Sequence, residues 1–144
     1  MNILQPPGWA QPRGYVNGAA ASGTVISVAG QIGWNAQGKF ETDDLVGQVR
    51  QALANVLAVL AEAHAGPHHI VRMTWYLLSR DEYVARAAEI GTVYRELMTN
   101  GAAHYPAMTA VQVSALIEPR AKVEIEATCI LPPDARRERA GETR

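Results

Sequence analysis

The chain has 144 residues, of which 48% are hydrophobic and 19% charged, and a formal net charge of −1. This length and composition predict one globular domain with a buried core. The near-neutral charge gives no global field that would favour nucleic acid or an anionic membrane surface. No run approaches roughly 18 uninterrupted apolar residues and the first residues lack the signal-peptide pattern, so no membrane span or leader is predicted. A single cysteine excludes an intrachain disulfide framework and is typical of a cytoplasmic protein.

The N-terminal part of the chain predicts an extended arm followed by two strands. Residues 1–14 contain three prolines, and proline fixes φ and lacks the N–H that a helix needs. Candidate strands follow at residues 15–20 and 24–29. The Ala-Ser-Gly link at 21–23 between them predicts a β-hairpin. The glycine-bearing stretch 30–39 indicates either a plain connecting loop or a backbone that a ligand approaches closely.

Two helices and a strand are predicted for the middle of the chain. The first helix, over residues 42–65, starts at a threonine N-cap and carries one apolar stripe. Residues 70–78 are apolar on nearly both faces, which predicts a central strand. Ser79 is the predicted N-cap of a second helix that ends near residue 99. Gly91 inside that helix costs about 1 kcal/mol relative to alanine, so either a neighbour packs closely there or space is left for a ligand.

The C-terminal part of the domain predicts two strands, 108–115 and 121–131, joined by a turn at 118–120. Apolar and polar residues alternate in the second strand, so one face is buried and the other carries Glu124 and Glu126. Two carboxylates at this spacing, roughly 7 Å apart, indicate either a solvated sheet face or the wall of a site. The element order predicts an α+β fold, a mixed β-sheet with two helices packed on one face.

The last residues of the chain, PDARRERAGETR, are polar and charged and have no apolar anchor. A segment of this composition cannot repay the entropy of ordering. The sequence therefore predicts a single domain over residues 1–132 and a disordered polar tail over residues 133–144.

Metal, nucleotide and nucleophilic-cysteine chemistry are not predicted. His64, His68 and His69 are close in sequence, but Gly66 and Pro67 break the helix between them, and no cysteine or carboxylate joins them at ligand spacing. Cys129 falls among the buried positions of its strand, where a thiol behaves as a small hydrophobe. No glycine-rich phosphate loop followed by lysine is present. We expect no metal and no cofactor.

Four short motifs resemble those of the RidA/YjgF family of reactive-intermediate deaminases. They are GYVNG at residues 14–18, VAGQI at 28–32, YPAMTAVQV at 105–113 and VEIEA at 123–127, in matching order and spacing. The resemblance covers residues 10–131. It implies a chorismate-mutase-like sandwich that assembles as a homotrimer with small-molecule sites in clefts between subunits.

The resemblance also implies the residues of the site. In active family members an arginine binds the substrate carboxylate, backbone N–H groups assist, and a bound water attacks a C=N bond. By residue-to-residue matching, an acidic residue that orients the water and a tyrosine that binds the substrate fall on Glu124 and Tyr15. The implied substrate-binding positions are Gly30, Gln31, Met108 and Thr109.

Three positions depart from the family pattern. Met108 stands where imine-hydrolysing members have arginine, Ala29 replaces a frequent serine, and Gly91 stands where asparagine is common. Methionine cannot replace the bidentate carboxylate recognition of a guanidinium, so a less polar pocket is predicted. Arg13, two residues before Tyr15 on the arm, is a candidate for the missing cation; the alternative is an exposed arginine on a flexible arm.

Three functional hypotheses follow. The first is a deaminase-type hydrolase that acts on an imine or enamine other than the usual substrates. The second is a non-catalytic trimer that binds a small metabolite. The third is action on RNA, an activity sometimes attached to the family; the near-neutral charge and the lack of a basic stripe weigh against it.

Overall fold

The predicted α+β class is confirmed by the computed structural model, which describes residues 1–136 of the chain. Helices cover one face of a mixed β-sheet, and there are three of them because the predicted second helix is divided. In chain order the elements are β1 (Asn2–Leu4), β2 (Gly18–Ala20), β3 (Thr24–Ile32), α1 (Leu45–Glu62), β4 (Ile70–Leu77), α2 (Arg80–Ala85), α3 (Ala87–Leu97), β5 (Ala107–Gln112) and β6 (Val123–Leu131).

The main sheet has four strands in the spatial order β3-β6-β4-β5. β6 runs antiparallel to both β3 and β4, whereas β5 pairs in parallel with β4. The predicted central place of the strand at residues 70–78 is therefore confirmed. The alternation predicted for β6 is also confirmed, because five apolar side chains at alternate positions are buried under the helices and the residues between them, Glu124, Glu126, Thr128 and Ile130, are only partly covered. The buried set is Val123, Ile125, Ala127, Cys129 and Leu131.

α1 packs the predicted apolar stripe against the sheet, but its cap differs from the predicted threonine. The side chain of Asp44 accepts a hydrogen bond from the N–H of Gly47 at 3.1 Å and is the N-cap. Thr42 lies outside the helix, where its Oγ1 accepts from the N–H of Asp44 at 3.0 Å. The helix thus begins three residues later than predicted, since the aspartate provides the better-placed acceptor for the first turn.

The second predicted helix starts as expected and then breaks. Ser79 is its N-cap, with Oγ accepting from the N–H of Glu82 at 3.1 Å. Arg86 leaves the helical conformation, with φ −104° and ψ 11°, and separates α2 from α3. Its guanidinium binds Asp44 and Glu89 at 2.8 Å each, which fixes the junction to the start of α1.

The predicted hairpin of residues 15–20 and 24–29 is wrong. β2 pairs with β1 in a separate two-stranded sheet, and β3 pairs with β6. The link does not turn one strand back on the other. Gly23, at φ +148°, instead packs against the carbonyl group of Leu131 at the end of β6, where a Cβ would overlap the oxygen. β2 is also short and made of glycine and alanine, which have weak strand propensity.

The two C-terminal strands are not neighbours, since β4 lies between them. β5 ends at Gln112, three residues before the predicted end. After β6 a short 3-10 turn covers Pro133–Arg136, and the rest of the predicted tail, residues 137–144, lies outside the described residues. Within residues 1–136, no helix has both the length and the apolar character to cross a membrane.

Candidate functional site

A pocket of about 380 Å³ lies between the N-terminal arm, α3 and the edge strand β5. Five aromatic side chains line it, and its wall also contains Arg13, Arg95 and Met108. A concave, largely apolar site with a few charged groups is the usual form of a small-molecule site. The aromatic side chains in the wall are Tyr15, Trp75, Tyr83, Tyr94 and Tyr105.

The arm is held at the pocket by backbone pairing with the start of β5. The N–H of Val16 donates to the carbonyl oxygen of Pro106 at 3.0 Å, and Val16 forms a parallel bridge with Ala107. This pairing places Arg13 and Tyr15 in the same wall as Met108. Three of the predicted site residues therefore meet in one pocket.

The aromatic wall is packed ring against ring. Trp75 makes an edge contact with Tyr83 at 6.3 Å between centroids, and Tyr94 stacks on Tyr105 at 5.3 Å. The Tyr94 hydroxyl donates to the carbonyl oxygen of His104 at 2.6 Å. Burial raises the pKa of both Tyr83 and Tyr94, so the two phenols stay neutral at physiological pH.

Arg95 is a second cation at this pocket, and sequence reasoning missed it. Its guanidinium lies across Gly91, with Nη1 3.1 Å from where a Cβ at position 91 would stand. Residues four apart share one face of a helix, so the missing side chain at Gly91 leaves room for the guanidinium. Nη2 donates to Thr92 Oγ1 at 3.4 Å. The unexplained helical glycine was the signal that could have found Arg95.

The opposite face of the sheet carries a separate polar group. A Cβ at Gly30 would overlap the carboxylate of Glu124, so the two residues lie in direct contact across β3 and β6. The hydroxyl of Tyr76 donates to Glu126 Oε1 at 2.8 Å, and this bond is the main reason that the pKa of Tyr76 is raised. Within the described residues, Glu124 itself makes no hydrogen bond or ion pair.

Known proteins resemble this chain over most of its length. The model of the family described as Endoribonuclease L-PSP matches residues 9–131. The RutC family protein slr0709 of Synechocystis is 31% identical over 92% of this chain and 98% of its own length. The Escherichia coli 2-iminobutanoate/2-iminopropanoate deaminase is 30% identical over 81% of this chain and 86% of its own. The Rid family protein YyfB of Yersinia pestis has a crystal structure that matches with a TM-score of 0.75 and 34% identity, over 90% of this chain and 98% of that chain.

The chain therefore belongs to the RidA/YjgF family. The positions that the RidA/YjgF motifs imply fall in two groups on opposite sides of the sheet. Met108 and Tyr15, with Arg13, line the aromatic pocket on the helix side. Glu124 and Gly30 lie on the open side.

The two remaining predicted positions lie apart from the pocket. Thr109 follows Met108 in β5, so its side chain points to the open face, where Oγ1 accepts from Arg72 Nη2 at 3.5 Å. Gln31 donates through Nε2 to the carbonyl oxygen of Ala29 at 3.1 Å and lies in a shallow depression with Trp34 beside α1. A single RidA/YjgF subunit of this sequence thus does not gather the implied residues into one site.

The histidines and the cysteine stand outside both groups. The rings of His68 and His69 lie 3.9 Å apart, and burial is the main cause that lowers the pKa of each. Residues 1–136 contain no group of three or more histidine, cysteine, aspartate or glutamate residues that could hold a metal ion. Cys129 is buried under α1, and burial raises the pKa of its thiol to about 12. A thiol in that state is not a nucleophile.

Proposed function

We propose that this chain hydrolyses an imine or enamine metabolite in a site formed between subunits of a homotrimer. Its substrate preference differs from that of the usual family members because Met108 stands where they have arginine. RidA/YjgF relatives named as 2-iminobutanoate/2-iminopropanoate deaminases support the reaction class.

The separation of the implied residues supports an inter-subunit site. Met108 and Tyr15 lie on the helix side of the sheet, whereas Glu124 lies on the open side of the same sheet. Within the described residues Glu124 does not reach the pocket, so we propose that a second copy brings a Glu124 carboxylate to its mouth. This observation supports a site between subunits, whereas the number of three subunits comes from the family resemblance.

Imine hydrolysis requires few groups from the protein: a residue that transfers protons and a pocket that positions the substrate and the water. Water attacks the imine carbon while Glu124 takes a water proton and returns it to nitrogen, which gives a tetrahedral carbinolamine. A second proton passes from the new hydroxyl to nitrogen, the C–N bond breaks, and ammonia leaves with the bonding electrons. The products are a carbonyl compound and ammonia. Tyr15 binds the substrate by a hydrogen bond, and the pocket fixes the carbon near the water.

Met108 changes what the pocket recognises. A charge-assisted hydrogen bond to a carboxylate contributes roughly 1.5–3 kcal/mol, or about 10- to 150-fold in affinity. The thioether of Met108 packs against the core beside the aromatic wall and offers no such bond. We therefore expect position 108 to contribute nothing to carboxylate binding, and hydrolysis of 2-iminopropionate to be slower than in family members with arginine there.

Imines made in situ from a panel of amino acids by an amino-acid oxidase test the reaction. Wild type is expected to accelerate ammonia release from some members of the panel, and Glu124→Gln to lose that acceleration. Met108→Arg is expected to gain activity on 2-iminopropionate. If Arg13→Ala instead abolishes the activity, the substrate-binding cation is on the arm. If none of the three substitutions changes the activity, the site lies elsewhere.

Two further outcomes separate the alternatives. Binding of a small metabolite with no turnover by wild type or Met108→Arg supports a non-catalytic binding protein. Loss of structured RNA on incubation with purified protein supports action on RNA, which the net charge of −1 makes unexpected.

The trimer is measured independently of activity. Light scattering coupled to size exclusion is expected to give about three times the chain mass of 15.6 kDa. A monomer would contradict the inter-subunit site.

A further inference from the structure

We infer that Arg95, together with Arg13, is the anion anchor of the aromatic pocket, and that its ligand is a carboxylate with an aromatic or bulky apolar side chain. This inference rests on the proposed function only in identifying the ligand as the substrate or product. The anchor lies on α3 and the arm rather than at the β5 position that Met108 occupies.

The first support is charge. Arg13 and Arg95 both line the pocket, and none of the described residues in its wall carries a carboxylate. Neither arginine is in an ion pair within the described part of the chain. By contrast, four other arginines bind a carboxylate of the same chain: Arg50, Arg80, Arg86 and Arg120. The pocket therefore presents two cations whose counter-charge the described residues do not supply.

The second support is the contact between Arg95 and Gly91. Nη1 lies where it would crowd a Cβ at position 91, at 3.1 Å, so glycine lets the guanidinium lie along the helix toward the pocket. The bond from Nη2 to Thr92 Oγ1 helps to hold it there. Glycine in a helix interior costs about 1 kcal/mol relative to alanine, and here it gives the guanidinium a few tenths of an ångström more room than alanine would.

The third support is the rest of the wall. Tyr15, Trp75 and Tyr105, with the apolar Met108, give a surface that suits an aromatic ring. A volume of about 380 Å³ is much larger than a two- or three-carbon imino acid needs.

Binding, measured without turnover, tests this anchor. Phenylpyruvate carries the ring, the carbonyl and the carboxylate, phenylacetone lacks the carboxylate, and pyruvate lacks the ring. Calorimetry with wild type is expected to rank phenylpyruvate at least about tenfold tighter than either. Equal binding of phenylacetone and phenylpyruvate would overturn the anion anchor, and equal binding of pyruvate would overturn the aromatic preference.

Two substitutions locate the anchor. Arg95→Gln is expected to weaken phenylpyruvate binding about tenfold and to leave phenylacetone binding unchanged. Gly91→Ala keeps every charge and favours the helix, and the guanidinium needs to move only a few tenths of an ångström to accommodate the new Cβ, so phenylpyruvate binding is expected to fall much less than in Arg95→Gln. Arg80→Gln, which removes an exposed arginine outside the pocket, is the matched control. Phenylpyruvate affinity that is the same in Arg95→Gln and Arg80→Gln would overturn the assignment.

The outcomes distinguish this inference from the proposed function. Arg95-dependent binding of phenylpyruvate with no imine hydrolysis would refute the hydrolase and leave the anchor standing. Imine hydrolysis by the wild type, with phenylpyruvate binding that is unchanged in Arg95→Gln, would refute the anchor and leave the hydrolase standing.

Discussion

Gly30 and Glu124 are in such close contact across β3 and β6 that a Cβ at position 30 would overlap the Glu124 carboxylate. The atoms in the way belong to the far end of a flexible side chain, so Gly30→Ala is expected to move the carboxylate and to keep the fold. Misplacing a catalytic group by about 1 Å can cost about 100-fold in rate. We expect that order of loss in kcat/KM for imine hydrolysis, with Tm nearly unchanged.

A double-mutant cycle is the control for this prediction. If Gly30→Ala acts through the carboxylate, combining it with Glu124→Gln should cause little further loss beyond Glu124→Gln alone. Independent, additive losses would show that Gly30 acts in another way.

Gln48 on α1 is predicted to be a major stabilising residue. Its fully buried side chain donates to the carbonyl oxygens of Thr42 and Arg120 at 3.1 and 3.0 Å and accepts from the N–H of Lys122 at 2.8 Å. Gln48→Leu removes these partners from three backbone groups, so we expect a loss of roughly 2–4 kcal/mol in urea unfolding. Within the described residues, the amide of Gln51 bonds only to Asn55, so Gln51→Leu should cost less than about 1 kcal/mol. Equal losses of stability in Gln48→Leu and Gln51→Leu would contradict the bridging role of Gln48.

Asp44 is predicted to make stability depend on pH in acid. The Arg86 guanidinium, and then the N–H of Gly47, hold the pKa of Asp44 below its ordinary value. A lowered folded pKa gives stability that is present above the unfolded pKa of about 3.9 and is lost as pH falls through the folded pKa. The pair is partly exposed, so its contribution at pH 7 is expected to be about 1 kcal/mol or less.

Two variants separate the cap of α1 from the charge of Asp44. Asp44→Asn keeps the cap and loses the charge, so its Tm deficit at pH 7 should shrink as pH falls below about 3.9 and vanish once the pH is below the lowered folded pKa of Asp44. Asp44→Ala also loses the cap and should cost about 1 kcal/mol more at either pH. A deficit of Asp44→Asn that persists in acid would contradict the role of the ion pair.

Truncation after Pro133 is predicted to leave the melting temperature and the number of subunits in the proposed trimer unchanged. The removed residues are polar and charged, and they offer no apolar surface to bury. A fall of several degrees in Tm would show that this segment docks on the domain.

Local patterns in the sequence predicted the elements, whereas pairing between distant segments could not be predicted. The alternation in β6, the stripe of α1 and the Ser79 cap each depend on residues within a few positions of one another. The partner of β2 is β1, which lies in the proline-containing arm, where no strand was predicted. The place of β6 between β3 and β4 likewise depends on distant partners. Along an extended chain at roughly 3.3 Å per residue, β6 is about 150–200 Å from β4 and about 300–350 Å from β3, and no local signal encodes these pairings.

The candidate site could likewise be predicted only in part, because the motifs do not encode how distant residues are arranged in space. Tyr15 and Met108, which belong to two separate motifs, line one pocket together with Arg13, which was only a candidate cation on the arm. Matching by position gives each residue a role but not a side of the sheet, so it could not show that Glu124 faces away from that pocket. Arg95 belongs to none of the motifs, and only Gly91, one helical turn before it, indicated that space was kept there.

β6 occupies the middle of the sheet, yet it is the last strand of the domain to leave the ribosome. β3 has no other neighbour in the sheet, so from its synthesis until β6 emerges its backbone N–H and C=O groups have no strand partner. Open strand edges of this kind pair readily with other chains. Nascent or prematurely terminated chains that stop before Val123 should therefore require a chaperone or aggregate, and the domain can close only when translation of its final strand is complete.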